Sequence, residues 1–300
     1  MSIRLWVIFG LILASFSSDV TGQPADDTRI LTWNVFLRPR HIFWTDGQIK
    51  RAKLIAEVLA NSNQDVIVLQ EAFDKGSVRL MKKQLDSIYP YQILPSKKRS
   101  YQLTNGLWLL SKYPIIKRDS IYFCRAGHAD KTADKGAVFA RISKHGHEFD
   151  VIGTHTQAYN KLSYRNIRLE QYSEIKEKLI DRHALKGVPQ YIIGDMNTAK
   201  KDTSYYRMML DSLDAKDGFV RVSADVKICT KNAQTWGCSM NELVPKKYRG
   251  QTQLLDYILV RANGFDIKGL DRILAVYRVQ VGNDTVNLSD HYGIEVHIEN

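Results

Sequence analysis

The chain has 300 residues, 43 of them Lys or Arg and 32 Asp or Glu, giving a formal net charge of +11. With 44% hydrophobic and 25% charged residues, 7 Pro and 18 Gly, it is neither disordered nor collagen-like nor low-complexity, and it can bury a sizeable core. The positive balance suits nucleic acid, an anionic membrane face or a plain solvated surface, and charge alone does not choose among them.

From the N-terminus, Met1 to Arg4 carries one positive charge and is followed by an apolar run over 5–16, too short to span a bilayer. Small residues follow, with Val20 and Gly22 suited to the −3 and −1 positions of a peptidase site. This three-part layout predicts a signal peptide over 1–22, a mature start near Gln23 and a secreted product. No later segment has the apolar length of a membrane span, and no Pro-, Gly- or Ser-rich linker divides residues 23–300, which read as a single domain.

Strand-like apolar runs then recur at 30–36, 66–70, 106–110, 137–142, 149–153, 191–194, 255–260, 273–281 and 292–298. Amphipathic helices are predicted at 48–60, with Ile49, Ala52, Ile55, Val58 and Leu59 on one face, and at 163–182, with Ile167, Tyr172, Ile175 and Leu179. Helices separate some strands but not others. The expected fold class is therefore α/β, two mixed sheets packed together with helices outside. The stretch from Lys75 to Arg118 is much more basic than the C-terminal end and reads as a solubilising face. Of three cysteines, Cys229 and Cys238 flank a short polar segment and are expected to pair, leaving Cys124 free or buried; other pairings stay open. Asn283 and Asn287 each begin a glycosylation sequon.

Polar residues cluster at strand ends. Asn34 follows Leu31-Thr32-Trp33, Glu71 follows the 66–70 run, His155 follows Gly153-Thr154, and Asp195 and Asn197 follow 191–194. Asp256 follows Leu254-Leu255, and Asp290-His291 precedes the last strand. Rigid strands that deliver acids, amides and imidazoles at their ends are a common way to build a site. Singly, each has a plain reading: Asn34 bonding a turn, Glu71 a surface carboxylate, His155 a satisfied core histidine, Asp195 and Asn197 turn or capping residues. Together they hold the parts of one reaction. Carboxylate oxygens suit Mg²⁺, two histidines can divide proton removal and donation, and an amide can donate to a phosphate oxygen.

Trp33-Asn34-Val35, Leu69-Gln70-Glu71, Gly153-Thr154-His155, Gly194-Asp195-Met196-Asn197, Leu255-Asp256-Tyr257 and Ser289-Asp290-His291 stand in one order. In this the chain resembles the endonuclease/exonuclease/phosphatase superfamily of metal-dependent phosphoesterases, over about residues 30–296. The flanks are most similar to the secreted neutral sphingomyelinases: Thr156-Gln157-Ala158, Ala72-Phe73, Asp134-Lys135-Gly136-Ala137-Val138, and Asn34 to Pro39 leading to Gly47-Gln48 and Arg51-Ala52. Asn160 departs from the pattern, which often has an acidic residue there, and 267–289 has no Trp where some bacterial members carry one on a membrane-inserting hairpin.

The resemblance implies a four-layer α/β/β/α sandwich of the DNase I type. It implies a membrane-associated sphingomyelin phosphodiesterase that uses Mg²⁺, with Mn²⁺ or Co²⁺ as substitutes, to drive direct attack of water. Glu71, helped by Asn34, would hold the metal; His291, fixed by Asp256, would take the water's proton; Asp195 would orient that water. Asn197 would donate to phosphoryl oxygens, His155 would sit on the phosphate or leaving-group side, and Asp290 beside the metal or His291. The implied partner is sphingomyelin in a membrane surface, with no nucleic acid and no obligate protein partner; a secreted deoxyribonuclease is the alternative enzyme, and a catalytically dead binding protein the non-enzymatic one. Ile42, Phe43 and Trp44, after Arg38-Pro39-Arg40-His41, either touch the lipid interface or pack beneath a loop.

Overall fold

The apolar runs become the central strands of two sheets. The structure is a computed structural model that describes residues 27–223 and 232–299, so the segment read as a signal peptide, and Cys229, lie outside the described residues. In chain order the first half holds β1 (Thr28–Leu37), α1 (Gln48–Ala60), β2 (Val66–Ala72), α2 (Lys75–Leu85), β3 (Tyr91–Ile93), β4 (Trp108–Ser111), β5 (Ile115–Tyr122), β6 (Gly136–Lys144) and β7 (His147–His155). Then come α3 (Leu162–Ile175), β8 (Gln190–Asp195), α4 (Thr203–Leu213), β9 (Val220–Arg221), β10 (Asp256–Arg261), β11 (Gly269–Ala275), β12 (Arg278–Val281), β13 (Asp284–Asn287) and β14 (Gly293–Glu299).

One mixed sheet of seven strands runs β3-β4-β2-β1-β14-β11-β9, and a second of five runs β10-β8-β7-β6-β5. Strand alternation decides what each face buries. Ile30, Val66 and Val68 point into a cluster shared with Ile152, Ile192 and Ile258 of the second sheet, which continues to Tyr172, Ile175, Met209 and Leu213 of α3 and α4. The intervening Leu31, Trp33, Ile67 and Leu69 face the other way, onto Ala52, Ile55 and Leu59 of α1 and Met81 and Leu85 of α2. Helices therefore cover both outer faces, the expected α/β/β/α order. Burying each such aliphatic side chain contributes about 1.5–3 kcal/mol.

Local differences from the sequence reading have local causes. The run at 273–281 is two strands: β11 ends at Ala275, and β12 turns away to pair with β13 in a separate hairpin. The helix predicted at 163–182 is α-helical to Ile175 and continues as a π-helical turn over Lys176–Asp181. Cys124 is free and exposed. Asn287 is buried and donates to Glu242 Oε2 at 2.6 Å, so of the two sequons only Asn283 is exposed. Asn160, the departure from the family pattern, has a structural role, its Oδ1 accepting from Arg165 Nε at 2.9 Å.

Candidate active site

Register gathers the strand-end residues. β7 and β8 are parallel with His155 opposite Asp195, and β8 and β10 are antiparallel with Asp195 opposite Asp256. In the other sheet, parallel β1 and β2 place Asn34 opposite Gln70, so Glu71 lies one step beyond. The pairing slips between Asn34 and Leu37, where Phe36 takes φ +50°; Glu71 takes φ +57°. Such bulges re-aim side chains next to functional sites. Gly194 has φ +143°, and a Cβ there would stand 1.9 Å from Thr154 O, so only glycine fits before Asp195.

Asn34 joins the two sheets. Its Nδ2 donates to Glu71 Oε1 at 3.1 Å and to Asp195 Oδ2 at 3.2 Å, while its Oδ1 accepts from the Phe36 N–H at 3.1 Å. Asn34 thus presents nitrogen to the carboxylates and steadies Glu71. Asp195 Oδ1 accepts from the Asn197 N–H at 2.9 Å, and its Oδ2 also faces His155 Nε2 at 3.5 Å and His291 Nε2 at 3.8 Å. His291 Nδ1 donates to Asp256 Oδ2 at 2.9 Å. Asn197, with φ +48°, donates from Nδ2 to Thr156 O at 3.2 Å. Seven of the eight residues expected from the sequence therefore gather at a cleft at the shared end of the two sheets, and the eighth, Asp290, directly precedes His291.

Two further residues belong to this cleft. Lys135 is buried, with Nζ 3.1 Å from His155 Nε2, 3.0 Å from Thr156 O and 3.0 Å from Asp130 Oδ1. An ammonium has no acceptor lone pair, so His155 Nε2 is the acceptor and its proton sits on Nδ1. Trp236 Nε1 donates to Asp290 Oδ2 at 3.3 Å, and the Trp236 backbone makes an isolated antiparallel bridge to His291. Lys135 was within sight in the Asp134-Lys135-Gly136 motif, a cation at the start of an apolar strand. Trp236 lies in a polar loop with no local signal.

The electrostatics are those of acids crowded together out of water. Burial, with Asp256 alongside, pushes Asp195 up to about 6; burial, with Glu71 alongside, does the same to Asp290. Glu71 is raised by burial. Burial also holds His155 well below the usual imidazole range, reinforced by Lys135 and His291. His291 is the opposite case: burial alone would lower it, but Asp256, Asp290 and Asp195 together raise it well above that range.

The donor set suits a hard cation. Among the described residues, Asp290 Oδ1 and Asp256 Oδ1 are buried carboxylate oxygens without a hydrogen-bond partner, and an oxygen in that state is costly unless a cation meets it. One atom each from Asp195, Asp256 and His291 lie within 4.8 Å of one another. In that trio the Asp256–His291 contact is already a hydrogen bond, so Glu71 and Asp290 offer the freer oxygens.

The chain as a whole is similar to known proteins. A Sphingomyelinase C of Listeria ivanovii is 28% identical over 278 residues, 85% of this chain and 80% of the relative. Sphingomyelinase C 2 of Leptospira interrogans is 32% identical over 255 residues, 78% of this chain but only 39% of that longer protein. A variant of beta toxin from Staphylococcus aureus, solved with bound magnesium ions, superposes with a TM-score of 0.77 at 27% identity, covering 90% of this chain and 99% of its own. Residues 31–291 match the Endonuclease/Exonuclease/phosphatase family, and the chain belongs to it.

Proposed function

We propose that the protein is a Mg²⁺-dependent phosphodiesterase that hydrolyses sphingomyelin, releasing phosphocholine and leaving ceramide in the bilayer. The observation that carries the mechanism is the hydrogen bond from His291 to buried Asp256, made in the cleft that also holds Glu71. With Nδ1 committed to Asp256, His291 turns Nε2 toward Asp195 and the cleft, where it takes a proton from the attacking water. Asp195 orients that water. Asn197 gives one amide N–H to Thr156 and keeps the other for a phosphoryl oxygen. Lys135, held by Asp130 and neutral His155, places its ammonium on the side of the cleft that would face the phosphate.

Glu71, steadied by Asn34 and joined by Asp290, would hold the cation, which when bound supplies a Lewis acid and a template for the phosphate. The carboxylates that keep His291 protonated are those a divalent cation would partly neutralise, returning the imidazole toward the form a base needs. The leader read over residues 1–22 would place this chemistry outside the cell.

The substrate reading is supported by the relatives named sphingomyelinase C and the magnesium-bearing neighbour. It is tested by offering purified protein sphingomyelin and plasmid DNA side by side, with Mg²⁺ and then with EDTA. Phosphocholine release that EDTA abolishes, with the plasmid intact, is the expected result. Nicking without phosphocholine release would make the protein a nuclease.

A further inference from the structure

Beside the Glu71 end of β2 is a cavity of about 280 Å³, walled by the loop after β1, the first turn of α2 and the loop before β4. Four basic side chains line it: Arg40, His41, Lys75 and Lys97. Its only acid is Asp74, whose oxygens are spent. Oδ1 accepts from Arg40 Nε at 2.9 Å, and Oδ2 accepts from both the backbone N–H and the hydroxyl of Ser77 at 2.8 Å. Among the described residues, Lys75 and Lys97 form no ion pair, so the cavity keeps a net positive charge. Gly76 lets the guanidinium lie against the start of α2: a Cβ there would stand 2.4 Å from an Arg40 nitrogen. The positive end of α2 adds to the same field.

The two loops that carry these cations also display large apolar side chains. Trp44 is 80% exposed and Tyr101 81%, and Ile42 is exposed as well. Trp44 does not pack beneath its loop, because the loop is closed by other groups. Arg38 pairs with Asp46 at 2.8 Å and stacks on Phe43 at 3.8 Å, and Gln48 donates to Arg38 O and Phe43 O. Exposed aromatics beside a basic recess fit the interfacial region of a bilayer, where rings sit at headgroup depth and cations meet lipid phosphates.

We propose that this cavity binds the phosphate of an anionic phospholipid, as a second lipid site next to the reaction cleft. It rests on the proposed function only in that the substrate's bilayer is the surface it would grip.

The test is vesicle co-sedimentation in EDTA, so that no turnover is needed. Sphingomyelin–phosphatidylcholine vesicles are compared with the same vesicles containing phosphatidic acid. The wild type is expected to prefer the anionic vesicles, and Lys75→Glu with Lys97→Glu to lose that preference by about tenfold or more. Lys117→Glu with Arg118→Glu, on the exposed β5 strand, controls for net charge and should lose much less. Equal losses in both pairs, or a preference retained in the first, overturn the proposal. So does inorganic phosphate, at the concentration of accessible phosphatidic acid, if it abolishes the preference, since the ligand is then a free anion. Thermal melting verifies folding, and Lys75→Gln with Lys97→Gln repeats the test at smaller charge change. Failure of phosphocholine release in the Mg²⁺ assay, with vesicle preference intact, would sink the proposed reaction and leave this site standing.

Discussion

At His291 the imidazole's state depends on neighbours that differ in what they do. Asp256 fixes orientation through one bond, so Asp256→Asn should lower kcat about a hundredfold to ten-thousandfold with the melting temperature little changed, and His291→Ala should remove nearly all turnover. Steady-state kinetics beside a thermal melt verifies both; near-normal kcat in either variant would move the base elsewhere. Asp195 and Asp290, near 6 in the fold, make a separate prediction. A carboxyl with a raised folded pKa carries no penalty below its unfolded value near 4. The penalty grows as pH rises through both values and is complete above about 6. A cation seated among these acids offsets it, so the gain in melting temperature from Mg²⁺ should be larger at about pH 8 than at about pH 5. Equal gains would mean the cation sits away from these groups. Of this residue-scale picture, the sequence showed the acids and histidines because each ends an apolar run. It could not show that Asn34 offers its nitrogen or that Lys135 silences His155, since both depend on contacts across the fold.

The elements place the cleft through one buried cation. Arg51, on α1, donates to Val35 O and Leu288 O at 2.9 Å, to Asp46 O at 2.9 Å, and to Phe36 O. It ties the β1 bulge to the segment before β14, and burial pushes it down to about 10. Arg51→Met keeps the volume but orphans these carbonyls, and should cost on the order of 3 kcal/mol in urea unfolding. A loss within experimental error would show that the bulge holds itself. Strands with unbroken apolar runs, β1, β2, β7, β8 and β10, were legible because both faces are buried. β5 was not: as an edge strand it exposes Ile116, Lys117 and Arg118 and carries no run to read. α2 hid inside the basic stretch because only Ser77, Met81 and Leu85, one residue per turn, are fully buried, while Val78 and Leu80 are partly so.

For the whole molecule, the stacked sheets matter because the cleft needs both: Asn34, Glu71 and His291 come from one side and His155, Asp195 and Asp256 from the other. Among the described residues no helix is long and apolar enough to cross a membrane; the proposed contact with lipid runs through side chains such as Trp44, which is 80% exposed. Trp44→Ala should then lower activity on bilayers several-fold while leaving activity on detergent-dispersed sphingomyelin unchanged; parallel assays check this, and equal loss on both would give Trp44 a structural role. The left-handed backbone at Glu71 has a consequence of its own. A non-glycine residue held there costs about 1–3 kcal/mol, and desolvating its half-buried carboxylate adds to that, so Glu71→Gly should relieve both while deleting the cation's grip. Any laboratory breeding that rewards heat resistance without scoring turnover would drift toward sturdier, inert descendants at that position.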